Sequence, residues 1–239
     1  MDIYDSLIQD TEQLLGKPTK TWAYSERRAW KDAGSSELVL LRDAAYELGG
    51  GNNPAANYSC VTTSDALIEK DEILLYGPDL GSIKGDVPFA RIALLEVADI
   101  GDTDDEMYKA IRTMEFVKYH VFPEGYMLRV SPESKREQVR VSKKAVKRGI
   151  SFESVGCDYI QQYKKNAQIK KVKLIFVTDP ACDFARLIQN AEKIDAMTAT
   201  LNTIMQGLPD LDCDHCSFKP VCDEVEGLKE LHFKKEKKN

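Results

Sequence analysis

Apolar positions along the chain follow two periods. Ile3, Leu7, Ile8, Leu14 and Leu15 stand close to helical spacing and predict a short amphipathic helix over residues 3–15, broken by GKPTKT. The run SELVLLR, ending at Arg42, predicts a buried strand, and LGGGNNPAAN, Leu48 to Asn57, predicts a loop. YSCVTT, EILLY and FARIALLEVA predict three strands, the last two separated by GPDLGSIKGDVP. Met107, Ile111, Met114 and Val117 form the apolar stripe of a helix that the acidic residues Asp102 and Asp104 introduce.

GYMLRV and EQVRV predict two more strands. Ser142 is placed to cap a small helix that Gly149 ends, and a further helix turns Val155, Tyr159, Ile160 and Tyr163 inward. Val172, Leu174 and Phe176 alternate in a strand, and Asp179-Pro180 predicts the start of a helix carrying Phe184, Leu187, Ile188, Ala191, Ile194, Leu201 and Ile204. Gly207 and Pro209 stop it. Runs of strands with single helices between them predict an α+β, or mixed α/β, fold: one globular domain with a small C-terminal metal-binding tail. The expected divisions are an N-terminal helical segment over 1–30, an α/β domain over 31–209, and a Cys-rich tail over 210–239.

Composition changes this picture little. The formal net charge is −6 at pH 7, which offers no electrostatic footprint for nucleic acid, so no nucleic-acid partner is expected. Lys143, Lys144, Lys147 and Arg148 form a local basic cluster that reads as a solvated helix face. No apolar run approaches the ~20 residues of a membrane span, and the acidic start MDIYDSLIQD is unlike a signal peptide, so a cytoplasmic protein is expected. The glycine loop at 49–51 matches neither nucleotide-binding fingerprint. Asp79 and Asp86 are polar candidates beside it, with turn-forming as the simpler role.

The cysteines carry the chemistry. Cys60, Cys157 and Cys182 are isolated and read as small buried residues. Cys213, Cys216 and Cys222 crowd into DCDHCSFKPVCDEVEGLKELH with His215 and His232. Cys-x-x-Cys lets two thiolates converge on one metal, and Pro220 can turn the chain back to bring in the third. The fourth ligand is His232, His215, a distant cysteine or an exogenous group. Three thiolates with an imidazole suit zinc, and an iron–sulfur cluster, which prefers four thiolates, accepts the same spacing. A thioredoxin-type pair needs a βαβ setting that this segment lacks.

YGPDLGSIKGDVPFARIALLEVA, Tyr76 to Ala98, resembles the central part of the CO-methylating acetyl-CoA synthase subunit of the carbon monoxide dehydrogenase complex. The resemblance runs collinearly through Asp104–His120, RVSKKAVKRGISFESVG (Arg140–Gly156) and VKLIFVTDP (Val172–Pro180), with GGGNNPAAN upstream. It implies that the α/β domain is similar to that subunit's central domain. It also implies that Cys213, Cys216 and Cys222 correspond to three of the four cysteines that hold the family's cubane cluster. His232 stands where the fourth would be. An iron–sulfur cluster, of the 4Fe-4S kind, is then the expected cofactor, with zinc as the alternative. The family's nickel-holding Cys-x-Cys does not occur in this sequence, and a tryptophan tied to coenzyme A binding corresponds to Gln138. Acetyl-CoA synthesis by this chain alone is therefore not expected.

The implied role is an accessory, electron-transfer or interaction protein of anaerobic one-carbon metabolism. Its implied partner is a protein of a corrinoid or CO dehydrogenase/acetyl-CoA synthase system. The alternatives are a zinc-stapled interaction module and a family enzyme with altered corrinoid-linked chemistry. For the last, the pocket is expected between Gly49–Asn53 and Gly77–Asp86.

Overall fold

The computed structural model describes residues 4–39, 44–99, 101, 103–130 and 137–205. FARIALLEV forms strand β5 (Phe89–Val97), buried at every position. Such a strand has to lie inside a sheet covered on both faces. It pairs in parallel with β3 (Ala55–Thr62) and antiparallel with β8 (Ile169–Val177). β8 pairs in parallel with β4 (Glu72–Tyr76), and β4 antiparallel with β1 (Lys20–Ala23). The sheet order is β1-β4-β8-β5-β3, a mixed sheet.

Strand alternation sorts the covering helices. On β3, the hydroxyls of Tyr58 and Thr11 lie 2.8 Å apart, which places α1 (Asp5–Leu15) on one face. α5 (Phe184–Met205) shares that face, because Asn190 Nδ2 donates to Asp10 Oδ2 of α1 at 2.9 Å. The neighbouring Ser59 points the other way, toward Tyr163 of α4 (Phe152–Tyr163). Phe152 anchors α4 there, with ring centroids 4.6 Å from Phe176 and 6.2 Å from Phe89. α2 (Asp104–Phe116) lies beside α5, where Thr198 Oγ1 donates to Glu115 Oε1 at 3.4 Å.

A second, antiparallel sheet has the order β2-β7-β6, built from β2 (Ala45–Leu48), β7 (Glu137–Ser142) and β6 (Tyr126–Val130). Ser142 caps α3 (Lys143–Lys147) by accepting from Lys144 N–H, and Gly149 follows at φ 98°. The result is the mixed α/β fold that the hydrophobic pattern predicts. Among the described residues no helix is long and apolar enough to cross a membrane.

Four local expectations differ from the structure. SELVLLR does not begin a strand: Leu38 is 72% exposed, and residues 36–39 are held by side chains instead. Arg140 Nη1 donates to Val39 O at 2.8 Å, and Gly125 N donates to Glu37 Oε2 at 2.5 Å. The strand comes at Ala45, while residues 40–43 lie outside the described ones. KTWA is β1, a polar edge strand with too little apolar alternation to announce itself. Ala55 and Ala56 belong to β3 rather than to the glycine loop. Finally, the long helix starts at Phe184, not at Pro180. Asp179 closes a turn by accepting from Ala181 N, and Asp183 accepts from Arg186 N to cap α5. Both aspartates are good caps, and only the second is followed at once by inward-facing Phe184 and Leu187.

Candidate functional site

The two loops expected to frame a pocket are stitched to the sheets. Gly49 N donates to Val87 O at 2.8 Å, and Val87 N donates to Glu47 O at 3.1 Å. Asp86 Oδ1 accepts from Glu47 N at 2.9 Å, a bond to the edge of β2 beside the Leu48–Val87 bridge. Asp79 Oδ1 accepts from Leu80 N at 2.8 Å and from Phe152 N at 2.9 Å, and Lys20 Nζ lies 3.5 Å from its Oδ2. Asp79 thus acts as a cap and turn-former, the simpler of its two roles, and Asp86 ties its loop to β2. The glycines allow close approach. A Cβ on Gly77, at φ 104°, would stand 2.4 Å from Asp179 N, and one on Gly49, at φ 70°, would stand 2.7 Å from Ala55 Cβ.

The sequence reading missed a cluster of charge buried between the sheets. Arg91 of β5 is 5% exposed and Glu137 of β7 is 3% exposed. Arg91 Nη2 donates to Glu137 Oε2 at 2.6 Å, and its Nη1 donates to the Tyr159 hydroxyl at 2.6 Å. The guanidinium also lies 4.8 Å from the centre of the Tyr159 ring. Lys118 pairs with the other oxygen of Glu137. Burial disfavours the charge on Arg91, but the Tyr159 oxygen and the Glu137 carboxylate outweigh it and raise the pKa. Burial likewise pushes the Tyr126 phenol up, and its hydroxyl has no partner among the described residues. One signal was available: Arg91 is one of two charged residues, with Glu96, in the apolar run FARIALLEV, where an unpaired guanidinium could not stay.

Beside this cluster a cleft of about 190 Å³ opens between the 3-10 turn Val117–His120 and β6. Its walls include Glu37, Lys118, Tyr119, Tyr126, Leu128 and Val130. None of the described residues lining it is a histidine or a cysteine. Lys118 is committed to Glu137 and Glu37 to Gly125 N–H, so the cleft offers apolar contact with few polar groups to spare.

The metal-ligand candidates Cys213, Cys216, Cys222 and His232, and the second choice His215, lie outside the described residues. Among the described residues no group of three or more His, Cys, Asp or Glu could hold a metal ion. Cys60 and Cys157 are fully buried, and Cys182 is half-buried. Burial raises all three thiol pKa values, which suits small core residues. In the basic cluster, Lys144, Lys147 and Arg148 are exposed, as a solvated face requires. Arg148 forks onto Glu124 at 2.6 and 3.2 Å, and Lys143 lies 5.0 Å from the centre of the Tyr46 ring.

Residues 33–182 match a family model described as the CO dehydrogenase/acetyl-CoA synthase complex beta subunit. The match takes in both sheets except β1, together with α2, α3 and α4, and it stops before α5. A search of curated proteins finds no match.

Proposed function

The chain belongs to the CO dehydrogenase/acetyl-CoA synthase complex beta subunit family, and from that premise we propose that it carries an iron–sulfur cluster on its C-terminal segment. It is an acetyl-CoA synthase-like protein of CO dehydrogenase/acetyl-CoA synthase systems. In the proposed role it acts as an accessory, electron-transfer or interaction protein in anaerobic one-carbon metabolism. Its partner is a protein of such a system, the corrinoid methyl carrier included. The observation that carries this reading is the family match across residues 33–182, followed in sequence by Cys213, Cys216 and Cys222.

Three thiolates and the imidazole of His232 fit the donor chemistry of a 4Fe-4S cluster. An imidazole removes one negative charge relative to a fourth thiolate and raises the potential, which favours electron transfer or sensing over strong reduction.

The test is iron and acid-labile sulfide measured in protein purified without oxygen. About four of each per chain, with broad visible absorption, is the expected result. One zinc in a colourless protein would replace this reading with the zinc-stapled interaction module. His232→Ala should lower cluster occupancy, and His232→Cys should restore it with a lower potential.

A further inference from the structure

On α4, Asp158 places a carboxylate where its charge is poorly served. Its Oδ2 is buried and meets no hydrogen-bond donor among the described residues. A buried carboxylate without a donor or a cation favours its neutral form. The covering segment is a strap, residues 30–34, that passes over α4. Trp30 N donates to Ser154 O at 3.3 Å, and Ser154 stands one turn before Asp158 on the same side of the helix. Burial raises the Asp158 pKa to about 8, and the Asp32 carboxylate of the strap adds repulsion.

Cations of the elements around α4 are engaged elsewhere. Arg28 pairs with Glu153, Lys31 and Arg148 with Glu124, and Lys118 with Glu137. Lys164 pairs with Asp71, and Lys173 with Glu12 and Glu72. His120 turns its Nδ1 to Phe116 O at 3.1 Å. On α4 itself, the groups that feel the Asp158 charge are Cys157 and Tyr159, and neither brings a positive charge.

A charge on Asp158 reaches water only if a neighbour moves. α4 is the fixed side. Ser151 and Asp79 cap it, its Phe152 ring packs on Phe176, and a Cβ on Gly156 would stand 2.7 Å from Ile73 Cγ1. The strap is held unequally. Toward residues 122–124 it is tied by Ala33 N to Phe122 O at 2.8 Å, Glu124 N to Lys31 O at 2.8 Å and Trp30 Nε1 to Glu124 O at 2.9 Å. Toward α4 its bond is the longer one to Ser154 O. The preceding turn, Glu26–Arg28, meets α4 through the exposed contacts Arg28–Glu153 and Gln161–Glu26, which add little. The strap and residues 122–124 therefore move as one unit. That unit carries part of the cleft: Phe122 lines it, and Ser36 and Glu37, two more of its walls, follow the strap in sequence.

We propose that the strap is a proton-controlled flap: loss of the Asp158 proton lifts residues 30–34, with residues 122–124, away from α4 and loosens those walls of the cleft. The closed form holds the proton, whereas the lifted form exposes the carboxyl, whose ordinary value is 3.8. The lifted fraction therefore grows as pH rises from about 4 toward 8 and is constant above that.

Trp30 reports on the strap directly, and Trp22→Phe leaves it the one tryptophan of the full-length chain. Acrylamide, an uncharged quencher, is titrated against this protein from pH 5 to pH 9. Each series is normalised to its own unquenched intensity, so an absorbing cofactor cancels. The Stern–Volmer constant should rise roughly twofold between pH 5 and pH 8 and level off above, with far-UV circular dichroism unchanged. Asp158→Asn should hold the constant at its pH 5 value throughout. Asp32→Asn, a change at an exposed position, should reduce the rise, and His120→Asn should leave it intact. A constant that does not move with pH would overturn the proposal, as would a rise that begins above pH 8 or one that persists in Asp158→Asn. A rise accompanied by loss of the helical signal would overturn it in favour of global unfolding. If Asp158→Asn does not fold, a rise in Asp32→Asn equal to that of the parent protein overturns it instead.

Discussion

Asp158 on α4 has a carboxylate oxygen, Oδ2, that is buried without a hydrogen-bond partner among the described residues. Burial raises its pKa to about 8, against a bond from the Trp30 backbone N–H and with Asp32 adding repulsion. The folded state therefore keeps a proton that the unfolded state loses above its ordinary value near 3.8. Stability from this group is greatest at low pH, falls as pH rises from about 4 toward 8, and is flat above that. Asp158→Asn keeps the size of the side chain and removes both its titration and the repulsion from Asp32. Urea unfolding at pH 5 and pH 8 should show the variant near wild type at the lower pH. At the higher pH it should be about 1–2 kcal/mol more stable, allowing for partial solvent access. Equal gains at both values would mean that the carboxyl does not titrate in this window.

Among the elements, α2 shows how local chemistry sets a boundary. Thr103 Oγ1 accepts from Glu106 N at 3.3 Å, and Glu106 Oε2 accepts from Thr103 N at 3.2 Å, a reciprocal capping box. This box starts the helix that ends at the exposed Phe116. Thr103→Ala leaves Glu106 N–H without its acceptor and should cost about 1 kcal/mol, read as a lower midpoint with unchanged m-value. A loss below about 0.3 kcal/mol would show that packing against α5 alone sets the start of α2. α4 is capped doubly, by Ser151 and by Asp79 from a distant turn, so a single cap change there should matter less.

For the whole molecule, the Arg91–Glu137 pair is a buried ionic tie between the two sheets. Removing one partner strands a buried charge, whereas removing both does not. Glu137→Ala should destabilise the fold by about 3–5 kcal/mol. The double variant Arg91→Met, Glu137→Leu should recover most of that loss, because the half-exposed Lys118 can return to water. Chemical denaturation of both variants checks this. A double variant as unstable as the single one would point to Tyr159 as the group that needs Arg91, since it accepts a bond from the same guanidinium.

Periodicity alone was enough to place most elements. It made β3, β4, β5, β6, β7 and β8 legible, together with the inward faces of α1, α2 and α4, because an amphipathic pattern records which side of a segment avoids water. The family was legible too, in the ordered segments from Gly49 to Pro180, and so was the cysteine spacing on which the proposed cluster rests. What only the tertiary structure decided is pairing across long separations. β2 lies beside β7, with Ala45 opposite Ser142, and the polar β1 is a strand only because β4 offers it an edge. The same holds for Arg91 and Glu137. Each is an ordinary charged residue in its own segment, and they become a buried pair only where two sheets converge. The cleft beside them is hidden from sequence for the same reason, since its walls come from segments whose local patterns carry no record of one another.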